Sequence, residues 1–122
     1  MSTWLFASLA LHAVYVFAPT TLYLPTEGVG THFGGRDEQP EASAVVGRAR
    51  RALANWQESF PVFLALALAA LATDTDASSG ALLFLGARVL YLPLYLGAVP
   101  FVRSAVWTVS IGGLIWMAAA MI

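Results

Sequence analysis

The sequence has no cysteine, no lysine and little charge of either sign. Its charged residues, six arginines and seven acidic residues, make up 11% of the 122 positions, less than half of the share of about 25% that is usual in soluble domains. Without cysteine there is no disulfide, thiolate metal ligand or cysteine nucleophile, so any thiol chemistry must use a thiol carried by a ligand. The net charge of −1 offers no basic excess for a run of phosphates, which argues against nucleic acid as a partner.

Apolar residues fill most of the chain instead. They account for 59% of it, and the mean hydropathy is +0.74, too apolar for the hydrated surface of a soluble globule. Charges and turn formers divide the sequence into four segments, each near the length of about 20 residues that spans a bilayer as a helix. We therefore predict an all-α integral membrane four-helix bundle, a single domain over residues 1–122, with helices at residues 3–24, 45–73, 79–99 and 101–122 and a long polar loop at 26–44.

The arginines predict the orientation of this bundle. Arg36, Arg48, Arg50 and Arg51 lie around the first loop, and Arg103 returns to the same side after two further crossings. Because cytoplasmic flanks collect basic residues, we expect the first and third loops in the cytoplasm and both termini outside. The exclusive use of arginine, together with abundant alanine, suggests a bacterial protein of the inner (cytoplasmic) membrane.

The second segment carries a polar stripe. Arg51, Asn55 and Glu58 are spaced i, i+4, i+7 and share one helical face. A guanidinium suits a carboxylate, a carboxylate suits an ammonium, and an amide suits a peptide group, so the stripe fits a zwitterionic ligand. The alternative is an interfacial helix end whose charges pair with each other and with lipid headgroups.

A second stripe lies in the third segment, where Arg88, Tyr91 and Tyr95 are spaced i, i+3, i+7. An arginine so deep in an apolar segment costs about 2.5–3.5 kcal/mol on insertion scales, and therefore needs a partner or a wet cavity. The stripe is either part of a ligand site, or Arg88 pairs with Glu58 and the tyrosines belong to an interfacial belt.

Arg103 opens the fourth segment. It is either a positive-inside anchor at the membrane surface or a fixed charge that lowers the pKa of a bound thiol. Spacing does not choose between these interpretations. The roles of His12 and Arg36 stay open, and no histidine and carboxylate spacing typical of a metal site occurs.

Taken together, these residues resemble one family, the membrane-associated proteins in eicosanoid and glutathione metabolism (MAPEG), in its short bacterial form. Three stretches carry the resemblance, in family order: Arg51-Ala52-x-x-Asn55-x-x-Glu58-x-x-Pro61, Arg88-x-x-Tyr91-x-x-x-Tyr95 and Arg103-Ser104. The resemblance covers nearly the whole chain. Ser59 and Trp107 depart from it, because some eicosanoid synthases have an aromatic residue at the first position and some members have tyrosine at the second.

The resemblance implies a homotrimer with glutathione sites between neighbouring subunits, open to the cytoplasm. Six residues would bind glutathione as co-substrate, and Arg103 would be catalytic through the thiolate; the six are Arg51, Asn55, Glu58, Arg88, Tyr91 and Tyr95. A hydrophobic acceptor would arrive from the lipid. The implied activity is that of a glutathione transferase or peroxidase acting on hydrophobic electrophiles without a metal. Because a fold does not fix a function, a non-catalytic lipid-binding or accessory subunit of a larger membrane complex is the alternative.

Overall fold

The computed structural model describes residues 1–27 and 44–122, and this part of the chain forms four helices and no strand. They are α1 (Ser2–Glu27), α2 (Ala44–Ala72), α3 (Ser78–Leu96) and α4 (Pro100–Ala120). The all-α four-helix prediction is confirmed. Most of the expected loop at 26–44, including Arg36, lies outside the described residues.

Three of the helices are long and apolar enough to cross a membrane by length and composition. They are α1 over Ser2–Leu22, α3 over Ser78–Leu96 and α4 over Pro100–Ala120. Helix α2 has 29 residues, about 44 Å at a rise of 1.5 Å each, but its first half carries the polar stripe. The expectation of a fourth span therefore stays a prediction, which requires the polar part of α2 to lie within or beside the bilayer.

The turn between α2 and α3 is held by local polar bonds. The Thr73 hydroxyl lies 2.8 Å from the Ala69 carbonyl oxygen and 2.8 Å from the Thr75 hydroxyl. The Asp76 carboxylate accepts a hydrogen bond of 3.0 Å from the Ser78 N–H. Hydrogen bonds from the Ser78 side chain and backbone hold the pKa of Asp76 below its usual range. This carboxylate therefore supports the start of α3.

Helix α3 ends three residues before the expected position 99, and proline chemistry explains the difference. Pro100 is the first residue of α4 and disfavours helical geometry at the residue before it. Val99 is accordingly extended, and the Gly97 N–H donates back to the Pro93 carbonyl at 2.9 Å. The resulting turn is only three residues long, so the end of α3 and the start of α4 lie side by side.

The core combines stacked aromatic rings with one close helix crossing. Trp56 stacks on Tyr15, Phe60 and Phe84 with ring centroids 4.8, 4.9 and 5.9 Å apart. Farther from the α3–α4 turn, Gly80 and Gly113 face each other so closely that a Cβ on Gly113 would lie 2.8 Å from the Gly80 carbonyl oxygen. At the other end, Arg48 Nε donates to the Leu96 carbonyl at 2.9 Å. This bond places the polar start of α2 beside the α3–α4 turn.

Candidate functional site

A cavity of about 520 Å³ opens between α2, α3 and α4 near the end of the bundle that carries the α3–α4 turn. This volume lies within the range of about 300–1,000 Å³ typical of small-molecule sites. Its lining is polar and charged at one end and aromatic along one side. Ten residues line it: Arg51, Ala54, Asn55, Glu58, Tyr91, Tyr95, Arg103, Ser104, Trp107 and Thr108. Six of the seven residues that the sequence singled out for a site are among them.

Helix α2 contributes one wall through the predicted polar stripe. Arg51, Asn55 and Glu58 all reach the cavity, and Ala54 lies between them as a small apolar surface. Arg51 and Glu58 are exposed, whereas Asn55 is half-buried. The cavity is therefore fitted with a cation, a neutral amide and an anion along a single helical face.

Helix α3 contributes the two tyrosines. Their rings meet edge to face, with centroids 5.6 Å apart. Tyr91 is buried and Tyr95 half-buried, and both line the cavity. The two rings therefore form one aromatic wall of the cavity.

Arg103 lies at the head of α4 with its guanidinium over the Tyr95 ring, 4.4 Å from the ring centroid. A cation in this position is attracted by the electron-rich face of the ring. The contact holds the Arg103 charge at the cavity. Ser104, Trp107 and Thr108 follow along α4 and continue the same wall away from the charged end.

Arg88 is the residue whose position differs from its expected role, since it lies behind the cavity and not in its lining. Its side chain is fully buried. Nη1 donates to Asn55 Oδ1 and Nη2 donates to Ser59 Oγ, both at 2.8 Å. The alternative of a structural pair with Glu58 is not what the structure shows, because the hydrogen bonds of Arg88 go to two neutral side chains of α2.

Aromatic faces complete the surroundings of Arg88. Its Cζ lies 4.7 Å from the Tyr91 ring centroid and 5.9 Å from that of Phe84. The Tyr15 hydroxyl donates to the Arg88 carbonyl oxygen at 2.7 Å. Helix α1 therefore supports the backbone at the position from which this buried side chain extends.

Three residues of this arrangement were not predicted from the sequence to take part in it: Ser59, Thr108 and His12. Ser59 follows Glu58 and lies on the buried face of α2. The i, i+4, i+7 spacing identifies the face that carries Glu58 and therefore does not include Ser59. His12 accepts a hydrogen bond of 2.9 Å from Trp56 Nε1 and stacks on Phe60 at 4.7 Å. His12 thus belongs to the aromatic core between α1 and α2, and the apolar neighbours of position 12 were the only signal of this in the sequence.

The site offers charge and hydrogen bonds for a ligand that carries both signs. Two guanidiniums and one carboxylate line the cavity, which favours a ligand with one more negative than positive charge. In residues 1–27 and 44–122 no group of three or more histidine, cysteine, aspartate or glutamate side chains is placed to hold a metal ion. The lining of the cavity offers charge, hydrogen-bonding groups and aromatic rings.

Fold and cavity together define a class: an α-helical integral membrane protein with a cavity lined by charged residues at one end of its helices. The chain belongs to the MAPEG family, whose model matches residues 1–122, the whole sequence. This is a family of membrane proteins of eicosanoid and glutathione metabolism, so the resemblance found in the sequence is confirmed. No curated protein and no solved structure matches the chain significantly.

Proposed function

We propose that this protein is a membrane-bound glutathione transferase or peroxidase, which conjugates or reduces hydrophobic electrophiles with glutathione. One observation carries the proposal: Arg51, Glu58 and Arg103 line one cavity together with Asn55 and the two tyrosines. Family membership supports the same class of ligand. The missing cysteine also fits, because the reacting thiol would come from the ligand.

The charges of the cavity complement those of glutathione. At neutral pH glutathione carries two carboxylates and one ammonium, whereas the cavity is lined by two arginines and one glutamate. Arg51 would bind a carboxylate, Glu58 the ammonium, and Asn55 an oxygen of the peptide. Tyr91 and Tyr95 would complete the pocket from α3.

Arg103 would be the catalytic residue. Its guanidinium is held over the Tyr95 ring, and a fixed positive charge beside the sulfur would favour the thiolate over the thiol. In conjugation, the thiolate attacks an electrophilic carbon and forms a C–S bond, while the leaving group on that carbon departs with the electron pair of the broken bond. In hydroperoxide reduction, the thiolate attacks the outer oxygen and an alkoxide leaves and takes a proton. A second glutathione then converts the resulting sulfenic acid to the disulfide and water.

The acceptor would meet the sulfur beside the α4 wall. Trp107 lies four residues after Arg103, about 6 Å farther along the helix, and both line the cavity with Thr108. These residues belong to α4, which is long and apolar enough to lie in lipid. Hydrophobic electrophiles dissolved in the bilayer therefore have a short path to the thiolate, and lipid is part of the environment of the site.

We propose that a homotrimer closes this site. Arg51, Ala54 and Glu58 line the cavity yet are exposed on the outer face of α2, and charged groups facing lipid are costly. A neighbouring subunit would cover them, as the family resemblance implies. The end of the bundle with Arg48, Arg50, Arg51 and Arg103 would face the cytoplasm of a bacterium, where glutathione is available.

Calorimetric titration of glutathione into the detergent-purified protein tests the proposal, with the ultraviolet absorbance of the thiolate followed in parallel. Arg51→Ala should weaken binding about tenfold, as expected for one charged hydrogen bond. Arg50→Ala is the matched control, since it removes the same charge from the neighbouring position, which does not line the cavity. Arg103→Ala should still bind glutathione but lose the thiolate absorbance.

The absence of glutathione binding in the wild type would refute the proposal. The non-catalytic lipid-binding or accessory role would then be the better account of the chain. Co-purification of a stoichiometric partner from its native membrane would distinguish the accessory role from lipid binding alone.

A further inference from the structure

We infer that Arg88 is a positioning residue that never touches glutathione: its hydrogen bond to Asn55 Oδ1 turns the Asn55 NH₂ group, a hydrogen-bond donor, toward the ligand. The inference rests on the proposed function for the identity of the ligand, but the contact between Arg88 and Asn55 is independent of it. It also assigns the chemistry that the Asn55 NH₂ group recognises, which is an acceptor oxygen of the ligand.

Arg88 lies behind the cavity lining. It is fully buried and absent from the lining of the cavity, whereas Asn55 lines it. The guanidinium is thus separated from a bound ligand by the Asn55 side chain. Any effect of Arg88 on binding must pass through the residues it holds, and those on α2 are Asn55 and Ser59.

The contact with Arg88 fixes the orientation of the Asn55 amide. A guanidinium has only donors, so the Asn55 atom 2.8 Å from Arg88 Nη1 must be the carbonyl oxygen. The Asn55 NH₂ group is therefore the end left for the cavity. It has two donors and no acceptor, which matches a carboxylate or a peptide carbonyl oxygen of the ligand.

The Arg88 guanidinium itself has little freedom to rotate. Its Nη2 donates to Ser59 Oγ at 2.8 Å, and its Cζ lies 4.7 Å from the Tyr91 ring centroid. Ser59 is in turn directed toward its own helix, since its hydroxyl donates to the Trp56 carbonyl at 3.2 Å. With two directional hydrogen bonds and an aromatic face, the guanidinium plane is set before a ligand arrives.

The charge of Arg88 is not balanced by a carboxylate among the described residues that it contacts. Both described hydrogen-bond partners of the Arg88 guanidinium are neutral, and its Nε has no partner within the described residues. A buried guanidinium without a carboxylate is costly. A carboxylate in place of the Asn55 amide would therefore stabilise the protein and at the same time remove the donors that face the ligand.

Asn55→Asp provides the corresponding test, because the substitution keeps the size of the side chain. We expect a higher midpoint of thermal unfolding than the wild type, together with glutathione binding at least about tenfold weaker. Gln57→Glu is the matched control, since it makes the same amide-to-carboxylate change at an exposed position of α2 outside the cavity lining. It should alter neither property appreciably.

Arg88→Lys is the second variant, which keeps the buried charge but cannot hold both α2 partners with the same planar fork. We expect KM for glutathione to rise about fivefold or more, with kcat for a small aryl halide within about twofold. A merely structural role would lower the amount of folded protein and leave KM of the remaining enzyme unchanged.

Each failure points to a different error. If Asn55→Asp binds glutathione as tightly as the wild type does, the inference is overturned while the proposed function stays intact. An unchanged KM for glutathione in Arg88→Lys would have the same meaning. A lower unfolding midpoint of Asn55→Asp would overturn the Arg88–Asn55 contact itself. If the wild type fails to bind glutathione, the proposed function fails, and the assignment of the Asn55 donors to this ligand fails with it.

Discussion

A methyl group at Gly113 tests how closely α3 and α4 approach each other. A Cβ at this position would lie 2.6 Å from the Phe84 nitrogen, 2.8 Å from the Gly80 carbonyl oxygen and 3.1 Å from the Phe84 Cα. All three are main-chain atoms, so no side chain can rotate away. The helices would have to separate by about 0.8 Å to restore ordinary contact with the nearest atom, which begins at 3.4 Å.

The cost follows from comparison with the adjacent glycine. Gly112→Ala places a Cβ in open space, as does Gly86→Ala on α3. All three substitutions gain the same helix propensity, up to about 1 kcal/mol. Gly113→Ala alone adds a clash, for which overpacking costs of about 1–3 kcal/mol are typical. We therefore expect Gly113→Ala to be less stable than Gly112→Ala by about 1–3 kcal/mol.

Reversible unfolding in mixed detergent micelles, followed by tryptophan fluorescence, measures this difference. Gly86→Ala serves as the control on α3 and should resemble Gly112→Ala. Equal stability of Gly113→Ala and Gly112→Ala, within about 0.5 kcal/mol, would refute the close crossing.

Three further predictions concern other parts of the molecule. Trp107→Leu should raise KM for an aromatic electrophile about two- to tenfold, the worth of an aromatic contact, with glutathione affinity unchanged by calorimetry. Asp76→Asn should lower the unfolding midpoint at neutral pH. The wild type should lose the same stabilisation as the pH falls through the depressed pKa of Asp76, because a carboxyl with a lowered folded-state pKa stabilises only while ionised. Tyr15→Phe should lower the free energy of unfolding by about 1 kcal/mol in denaturant titration, since it removes one buried hydrogen bond.

Controls for these predictions come from the same regions. An aliphatic electrophile should be little affected by Trp107→Leu, and an equal effect on both electrophiles would contradict the aromatic contact. Asp74→Asn removes one negative charge from the same turn without the bond to Ser78, so a loss as large as that of Asp76→Asn would contradict the role of this bond. Unchanged stability of Tyr15→Phe would show that its hydroxyl contributes nothing.

Apolar segment lengths were sufficient to predict the helices. Segments that are apolar over the width of a bilayer must satisfy their backbone polar groups within one helix, so the existence of α1 and α4 follows from composition. The end of α3 was predicted three residues too late, because the residues of the α3–α4 turn are as apolar as the helices on either side of it. Pro100 was the available signal, since it acts on the residue before it.

Helical spacing also brought most of the site together. Arg51, Asn55 and Glu58 share a face because their spacing follows the helical repeat, and the structure places that face on the cavity. Spacing could not decide which side of α3 meets α2. Arg88 and Tyr91 lie on one face, but the arginine turns inward to Asn55 and Ser59 whereas the tyrosine reaches the cavity. Such a choice depends on tertiary packing that a single sequence does not encode locally.

The cavity lies between two parts of the bundle, the α3–α4 pair and α2, and a buried arginine is one of the contacts that join them. Helices α3 and α4 are fixed to each other by the glycine crossing and by the three-residue turn at the opposite end, so Tyr95 and Arg103 keep their relative positions without a ligand. Helix α2 is the separate wall, and Arg88 connects it to α3 through hydrogen bonds to Asn55 and Ser59. Binding of a ligand between these walls therefore costs little conformational entropy, because the side chains that line them are already ordered. The buried charge of Arg88, costly for stability, is therefore accounted for by the preorganisation that it gives the site.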